Sequence, residues 1–228
     1  GSNTALGYQA GYSATNVENT FIGFKSGYAV TTGASGTAVG RLSLGGNSAG
    51  VTGANNVSIG NASMYVTTSG ADNVAVGTLA LFDNTTGSNN VAIGKDSLQN
   101  NTTAGSNTAV GHQAGYTNTT GQYNTFIGRQ AGYAVTTGAN TFIGQQAGTV
   151  MSSGSNNTII GRYSGNQNNL DIRTASNQIV ISDGDGNPAI YYDGASYNNF
   201  NIDSTDNIAR FSQFINGPVS IANNSTVN

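Results

Sequence analysis

The sequence has no cysteine and very little charge, with charged residues making up 7% of its 228 positions. Without cysteine, neither disulfide bonds nor thiolate metal sites can hold the chain together. The net charge is −3 and there is no basic stripe, which argues against a nucleic-acid partner. No apolar run approaches the roughly 20 residues that a membrane-spanning helix needs, so we expect no membrane insertion.

Groups that could do chemistry are also scarce. His112 is the only histidine, and its position in the repeat described below also holds Arg41, Lys95, Arg129 and Arg162. Because the equivalent residues in other copies are long and charged, His112 is predicted to be a solvated surface residue rather than a catalytic base. We therefore predict that the protein is not an enzyme and needs no cofactor. A glycan-cleaving enzyme with carboxylates assembled between chains stays open as an alternative. The acidic residues available before position 166 are Glu18, Asp72, Asp83 and Asp96.

Gly, Asn, Thr and Ser are abundant, and they are arranged in a repeat. Residues 124–148 read NTFIGRQAGYAVTTGANTFIGQQAG, so the phrase NTFIGxQAG occurs twice. When the glycine after the apolar residue is taken as an anchor, there are about ten copies about 17 residues apart. A disordered linker would not need apolar residues at a fixed phase, so the repeat predicts folded structure. The anchors are Gly7, Gly23, Gly40, Gly60, Gly77, Gly94, Gly111, Gly128, Gly144 and Gly161.

Positions counted from the anchor each have a constant character. Position −1 is always Leu, Ile or Val and position −3 is always Thr or Val, residues that favour strands. A short strand that recurs every ~17 residues predicts an all-β fold, a β-solenoid or parallel β-roll whose coils stack on one another. Asn at position −4 is expected to form a side-chain hydrogen-bond ladder. The residues expected to form the structural core inside the coil are those at −1: Ile22, Val39, Ile59, Val76, Ile93, Val110, Ile127, Ile143 and Ile160.

Position −2 lies on the opposite face of the same strand, yet it is also mostly apolar. A strand that is apolar on both faces is buried on both faces. One face can fill the coil, and a second chain is the simplest cover for the other. A wider coil that covers itself is the alternative. The residues predicted to lie at the interface between chains are those at −2: Phe21, Ala75, Ala92, Ala109, Phe126, Phe142 and Ile159.

Position +5 is aromatic in several copies. Aromatic side chains one coil apart could stack on sugar rings, or they could fill a seam between chains. The possible glycan-contact residues in this column are Tyr12, Tyr28, Tyr65, Tyr116 and Tyr133.

The repeat phrases NTAVGHQAGY, NTFIGRQAGY and NNVAIGKDSL resemble the head repeats of trimeric autotransporter adhesins. They resemble the GSNNTAIG-type repeats of bacteriophage tail fibres even more closely. The resemblance covers roughly residues 1–165 and implies three identical chains, each a left-handed parallel β-roll, around a common axis. It also implies a structural role in attachment, on a virion or at a cell surface, with a bacterial surface glycan or outer-membrane receptor as partner. An ice-binding solenoid is a further alternative, and it would require the Thr column at −3 to point outward on a single chain.

Residues 166–228 are predicted to form a transition followed by a β-rich C-terminal cap. IVIS and AIYY flank a Gly/Asp/Asn turn and predict a hairpin. Further strand-like runs lie at Phe200–Ile202 and Val219–Ile221, while a helical turn is the alternative around Ile208, Phe211, Phe214 and Ile215. A cap is expected because the last coil of a solenoid has an unpaired edge.

The turn of this hairpin contains a weak candidate for a cation site. Asp183, Asp185 and Asn187 have the alternate spacing of oxygen ligands in a calcium loop. Pro188 and Gly194 stand where an EF-hand needs Gly and Glu. We therefore predict an ordinary hairpin turn and no metal site.

Overall fold

The computed structural model describes residues 2–16, 18–46, 50–194 and 201–202. In these residues the regular secondary structure is β-strand, and ten strands of three residues each recur at the predicted spacing. Each strand spans positions −3 to −1. The ten strands are β1 (Thr4–Leu6), β2 (Thr20–Ile22), β3 (Thr37–Val39), β4 (Val57–Ile59), β5 (Val74–Val76), β6 (Val91–Ile93), β7 (Thr108–Val110), β8 (Thr125–Ile127), β9 (Thr141–Ile143) and β10 (Thr158–Ile160).

Strands β1 to β10 lie side by side in one parallel sheet, each paired with the next in chain order. The register never changes: Val91 pairs with Thr108, and Ile93 pairs with Val110. Between two strands the chain makes one circuit and continues its ladder of backbone hydrogen bonds, as in the 3.0 Å bond from the N–H of Leu98 to the carbonyl of Ala114. The predicted parallel β-solenoid, with about ten coils of about 17 residues, is confirmed.

The anchor glycines are required by the close stacking of the coils. Gly94 has a φ of 131°. A Cβ placed on it would lie 2.6 Å from the carbonyl oxygen of Gly111 in the next coil. A side chain at an anchor would therefore force two coils apart, which explains why the repeat keeps glycine there.

The two faces of the strand are reversed relative to the prediction. Position −2 lines the interior of the coil, and Phe126 is fully buried within the single chain. Position −1 faces outward, and Ile93 is 40% exposed. The interior holds alanine or serine at −2 in five coils and a larger Phe or Ile in four, each of which has glycine at position +4. The buried −2 residues are Phe21, Ala38, Ser58, Ala75, Ala92, Ala109, Phe126, Phe142 and Ile159. The residues wrongly predicted to form the core of the coil are Ile22, Val39, Ile59, Val76, Ile93, Val110, Ile127, Ile143 and Ile160.

A consequence is that the predicted interface residues cannot meet another chain. Phe21, Phe142 and Ile159 have no exposed surface in one folded chain. The same holds for the alanines of this column, Ala75, Ala92 and Ala109. Any surface that another chain covers must therefore be built from the outward positions instead.

Large and small side chains complement each other inside the coil. In three coils with alanine at position −2, position +4 carries a buried leucine, as in Ala92 and Leu98. Ala109 is instead followed by Gly115, where a Cβ would lie 2.7 Å from the Phe126 ring of the next coil. Where position −2 is phenylalanine, position +4 is glycine, and a Cβ on Gly148 would lie 2.5 Å from the Phe142 ring. Both residues at +4 are left-handed, with φ of 46° at Leu98 and 60° at Gly148. Glycine at +4 is thus needed for the space it leaves to the ring and not only for its φ.

The asparagines at −4 form the predicted ladder. The Asn90 Oδ1 accepts the backbone N–H of Asn107 at 3.0 Å. The Asn90 Nδ2 donates to the Ala104 carbonyl at 2.9 Å and to the Asn73 Oδ1 at 3.1 Å. The backbone part of this pattern recurs from coil to coil along the shaft. Each amide therefore ties two coils together, and the ladder prediction is confirmed.

A second column of buried asparagines, at position +7, was not predicted. Its members are Asn84, Asn101 and Asn118. The Asn101 Nδ2 donates to the Asn84 Oδ1 at 2.8 Å and to the Ala104 carbonyl at 3.0 Å, whereas Asn118 bonds Gly121 of its own turn. The Ala104 carbonyl therefore accepts from both asparagine columns.

Five further strands follow the tenth coil. They are β11 (Asn166–Gln167), β12 (Leu170–Asp171), β13 (Ile179–Ser182), β14 (Pro188–Tyr192) and β15 (Asn201–Ile202). Strand β13 pairs in parallel with β10 and extends the sheet by one rung. Strand β14 then returns antiparallel to β13, so the predicted hairpin is confirmed. Strand β15 pairs antiparallel with β14, within the strand-like run predicted at 200–202. The strand prediction at Val219–Ile221 and the helical alternative around Ile208, Phe211, Phe214 and Ile215 fall outside the described residues.

Candidate functional surfaces

The outward side of the sheet is a continuous uncharged strip from β1 to β13, formed by Leu, Ile or Val at position −1 and mainly Thr at position −3, and it is here called the apolar strip. Position −1 is exposed or half-exposed along the shaft, with 66% exposure at Leu6 in the first coil and 42% at Ile160 in the tenth. Position −3 contributes half-buried Thr and Val side chains. Ile179 and Ile181 of β13 carry both columns one rung further. No Lys, Arg, Asp or Glu stands in these two columns.

The dimensions of the strip follow from strand geometry. Eleven rungs about 4.8 Å apart give a length of about 48 Å, and three residues per strand give a width of about 10 Å. The resulting area of about 500 Å² lies near the upper end of what a monomeric soluble protein exposes as one apolar patch. The largest apolar patch of a monomer is often functional, which makes this strip the candidate interaction surface of the chain.

The apolar strip runs between two edges of different character. The edge that follows the anchor, at positions +1 and +2, is here called the basic edge. Its cations are Lys25, Arg41, Lys95, Arg129 and Arg162, five of the chain's seven Lys and Arg residues. The opposite edge, at position −5, is here called the polar edge. Its members are all exposed: Glu18, Ser35, Asn55, Asp72, Asn89, Ser106, Tyr123, Ala139 and Asn156.

His112 lies on the basic edge and takes part in a surface charge cluster. The Lys95 Nζ is 2.7 Å from the Asp96 Oδ2, and the His112 Nε2 is 3.8 Å from the same oxygen. The His112 side chain is 41% exposed. This exposure agrees with the prediction of a solvated surface residue.

The aromatic residues at +5 stack in pairs along the shaft. Tyr116 and Tyr133 have ring centroids 5.0 Å apart and planes 2° from parallel. Face-to-face stacking covers one face of each ring, and the Lys25 ammonium lies over the Tyr28 ring, 4.9 Å from its centroid. Gln99 takes this position in the coil between Phe82 and Tyr116. The remaining pairs are Tyr12 with Tyr28 and Tyr65 with Phe82. Glycan contact by these residues stays a prediction.

The weak cation candidate is an internally bonded turn. The Asp183 Oδ1 accepts the backbone N–H groups of Asp185 at 2.9 Å and Asn187 at 2.8 Å. Its Oδ2 accepts the Asn187 side-chain amide at 2.9 Å. Hydrogen bonds from the Asn187 side chain and backbone lower the pKa of the Asp183 carboxyl below its ordinary value. The carboxylate therefore serves to shape the hairpin turn.

Two tyrosines behind the hairpin are partly or fully buried structural residues. The Tyr163 hydroxyl donates to the Leu170 carbonyl at 2.6 Å, and burial raises the pKa of Tyr163 well above its ordinary value. The Tyr191 hydroxyl donates to the Gln178 Oε1 at 2.7 Å, and burial again raises the pKa of Tyr191. Both hydroxyls hold the end of the sheet in place. Burial also raises the pKa of the Asp83 carboxyl.

Among the described residues, no group of three or more His, Cys, Asp or Glu side chains could hold a metal ion. The same part of the chain contains no helix of the length and hydropathy needed to cross a membrane. Comparisons with models of protein families, with curated proteins and with solved structures found no match.

Proposed function

We propose that the chain is a rigid segment of a homotrimeric attachment fibre whose three copies pack their apolar strips around a common axis. The observation that carries this proposal is the apolar strip itself, which continues without a charged residue over eleven rungs. In a single chain this strip faces water. Packing against two other copies removes it from water, and apolar burial is the main driving force of association.

The size of the strip fits such an assembly. With the flanking edges included, the sheet side is about seven residues or 20 Å wide, which gives about 1,000 Å² per chain. A stable interface buries about 800 Å² on each partner. In a three-fold assembly each chain divides its area between two neighbours, so each contact would bury about 500 Å² per partner and the three contacts together about 3,000 Å².

A rod of this kind supports attachment by holding weak sites at fixed spacing. Three copies of one site gain avidity without new contacts, provided that the scaffold is rigid. The resemblance of the repeats to those of bacteriophage tail fibres points to a virion fibre or a related injection-machine fibre that binds a bacterial surface glycan or an outer-membrane receptor. The head of a trimeric autotransporter adhesin is the alternative within the same architecture. Loops and the end of the rod are the favoured places for recognition, because they vary freely on a rigid scaffold.

Substitutions on the strip test the assembly directly. Ile93→Glu places a charge in the middle of the apolar strip, and the residue is already 40% exposed in one chain. We expect a folded monomer, seen as an unchanged circular dichroism spectrum and a threefold drop in mass by light scattering. The matched control is Thr103→Glu, which adds the same charge at an exposed position away from the strip. An Ile93→Glu variant with an unchanged trimeric mass would refute the interface.

The same pair of variants tests attachment. If the trimer displays three weak sites, the monomeric Ile93→Glu variant should bind whole bacteria at least about a hundredfold more weakly than the Thr103→Glu control. Equal binding by both variants would show that attachment does not depend on trivalent display.

One observation favours a second candidate function, ice binding. The Thr column at −3 points outward on the single chain, which is the condition that an ice-binding solenoid has to meet. The two functions make opposite demands on the strip, because a trimer covers it and an ice-binding face must stay free. A folded monomer that separates the freezing and melting points of its solution, and loses this effect in Thr108→Glu, would favour ice binding.

A further inference from the structure

We propose that neighbouring chains of the trimer meet with an offset of one coil, set by ion pairs of Glu18 with Arg41 and of Asp72 with Lys95 of the next copy. This inference rests on the proposed trimer. It adds the orientation of the chains and the register in which they assemble.

The symmetry of the assembly decides which edges meet. Around a three-fold axis parallel to the rods, the polar edge of each copy meets the basic edge of the next at all three corners. An antiparallel pair related by a perpendicular two-fold axis would instead bring two basic edges together. The basic edge carries five cations and one acid, Asp96, whereas the polar edge carries two acids, Glu18 and Asp72, and no cation, so the charges favour parallel chains.

In both proposed ion pairs, the cation belongs to the coil that follows the coil of the acid. Glu18 belongs to the coil that ends at Gly23, while Arg41 follows Gly40, the next anchor. Asp72 belongs to the coil that ends at Gly77, while Lys95 follows Gly94, again the next anchor. One offset therefore pairs both acids of the polar edge with a cation.

Other registers leave both acids without a cation at position +1. With no offset, Glu18 would face Phe24, with Lys25 beside it at +2, and Asp72 would face Thr78, so at most one of the two acids would reach a cation. With an offset of one coil in the opposite direction, the facing residues would be Tyr8 and Asn61. Charge complementarity between chains selects register and partner more than it adds affinity, which is the role assigned to these pairs.

The side chains are available for these contacts. Glu18, Arg41 and Asp72 are exposed, and the Lys95 side chain is 59% exposed. The Ser35 hydroxyl, one coil further on, donates to the Glu18 Oε2 at 3.4 Å, and the Asn55 side-chain amide, one coil back, donates to the Asp72 Oδ1 at 2.9 Å. Each carboxylate keeps a second oxygen that can accept from a cation of the next copy. The Lys95 ammonium already binds Asp96 at 2.7 Å. An ammonium has three donors, so Lys95 can bridge Asp96 and a carboxylate of the next copy.

An offset of one coil at each contact is compatible with three-fold symmetry if the strands are tilted out of the plane perpendicular to the axis. A rise of one rung, about 4.8 Å, across a side about 20 Å wide corresponds to a tilt of about 14°. After three corners the rise is three rungs, and each copy meets its neighbours in the same way.

Cysteine pairs can measure the register, because the chain has no cysteine of its own. Ser106→Cys with Arg129→Cys tests the one-coil offset, and Ser106→Cys with His112→Cys tests zero offset. None of these positions belongs to the proposed ion pairs. The polar and basic edges of one copy lie about 20 Å apart. A disulfide needs Cα atoms within about 7 Å, so a bond can form only between copies. The single variant Ser106→Cys is the control.

We expect a trimeric mass by light scattering and, after oxidation, a covalent trimer on a non-reducing gel for the Ser106→Cys/Arg129→Cys variant alone. A trimer that is linked by the zero-offset pair instead, or by neither pair, overturns the offset and leaves the proposed trimer standing. A monomeric mass for the unaltered chain overturns the offset and the proposed trimer together.

Discussion

The complementarity between positions −2 and +4 predicts that the destabilisation caused by one substitution disappears when its neighbour is made smaller. Phe142 fills the space beside Gly148, whose added Cβ would lie 2.5 Å from the ring. Gly148→Leu in the unaltered chain should therefore be strongly destabilising, by about 3 kcal/mol, from overpacking plus left-handed backbone strain. Phe142→Ala should cost about 3–5 kcal/mol through the cavity it leaves.

In the double variant the leucine enters the cavity that the ring has left. Leu98 shows that leucine is accommodated at +4 beside alanine, with a φ of 46°. Burial of a leucine contributes about 1.5–3 kcal/mol, which offsets the strain of about 1–2 kcal/mol. Gly148→Leu should thus be about neutral in the Phe142→Ala background. The predicted coupling energy is about 3 kcal/mol, against a few tenths for independent sites.

The assay is a double-mutant cycle by denaturant unfolding. The matched control combines Gly148→Leu with Phe21→Ala, the same substitution in a distant coil, and its two effects should add. If Gly148→Leu costs the same with and without the Phe142 ring, the complementarity of the two positions would be disproved.

Two further predictions concern hydrogen bonds. Asn90→Ala removes the acceptor for the buried N–H of Asn107 and should lower the free energy of unfolding by about 2–4 kcal/mol. The control is Asn100→Ala, at a half-exposed position of the same coil, which should lower it by less than about 0.5 kcal/mol. Equal effects in denaturant unfolding would contradict the ladder's role. Asp183 should titrate below the ordinary value of about 3.9, so its stabilisation of the turn is complete above that pH and is lost as the pH falls through the lower folded pKa. Asn187→Ala should raise this pKa in an NMR titration, and an unchanged value would rule out the amide as its main cause.

Local patterns made several features predictable from the sequence. The anchor glycines and the β-branched residues before them set the coil length, because close stacking tolerates no side chain at Gly94 or its equivalents. The ladder at Asn90 was predictable because an amide both donates and accepts. The hairpin from β13 to β14 was predictable from two apolar runs around a turn.

The direction in which the strand faces was not predictable in the same way. Both faces are apolar, and a period of two does not distinguish inside from outside when Ile93 and Ala92 are both hydrophobic. A signal was present in the covariation of size between positions −2 and +4, as in Ala92 with Leu98 and Phe142 with Gly148. Compensating changes in side-chain volume indicate that two positions pack against each other in a close-packed interior. Comparing positions −2 and +4 in this way would have placed position −2 inside the coil.

The central claim is that the apolar strip is covered by two further copies of the chain. The most direct test is the mass of the unaltered protein in solution, measured by light scattering across a range of concentrations. The account predicts a particle of three 23.1 kDa chains at every concentration measured. A stable, folded particle of one 23.1 kDa chain would contradict it.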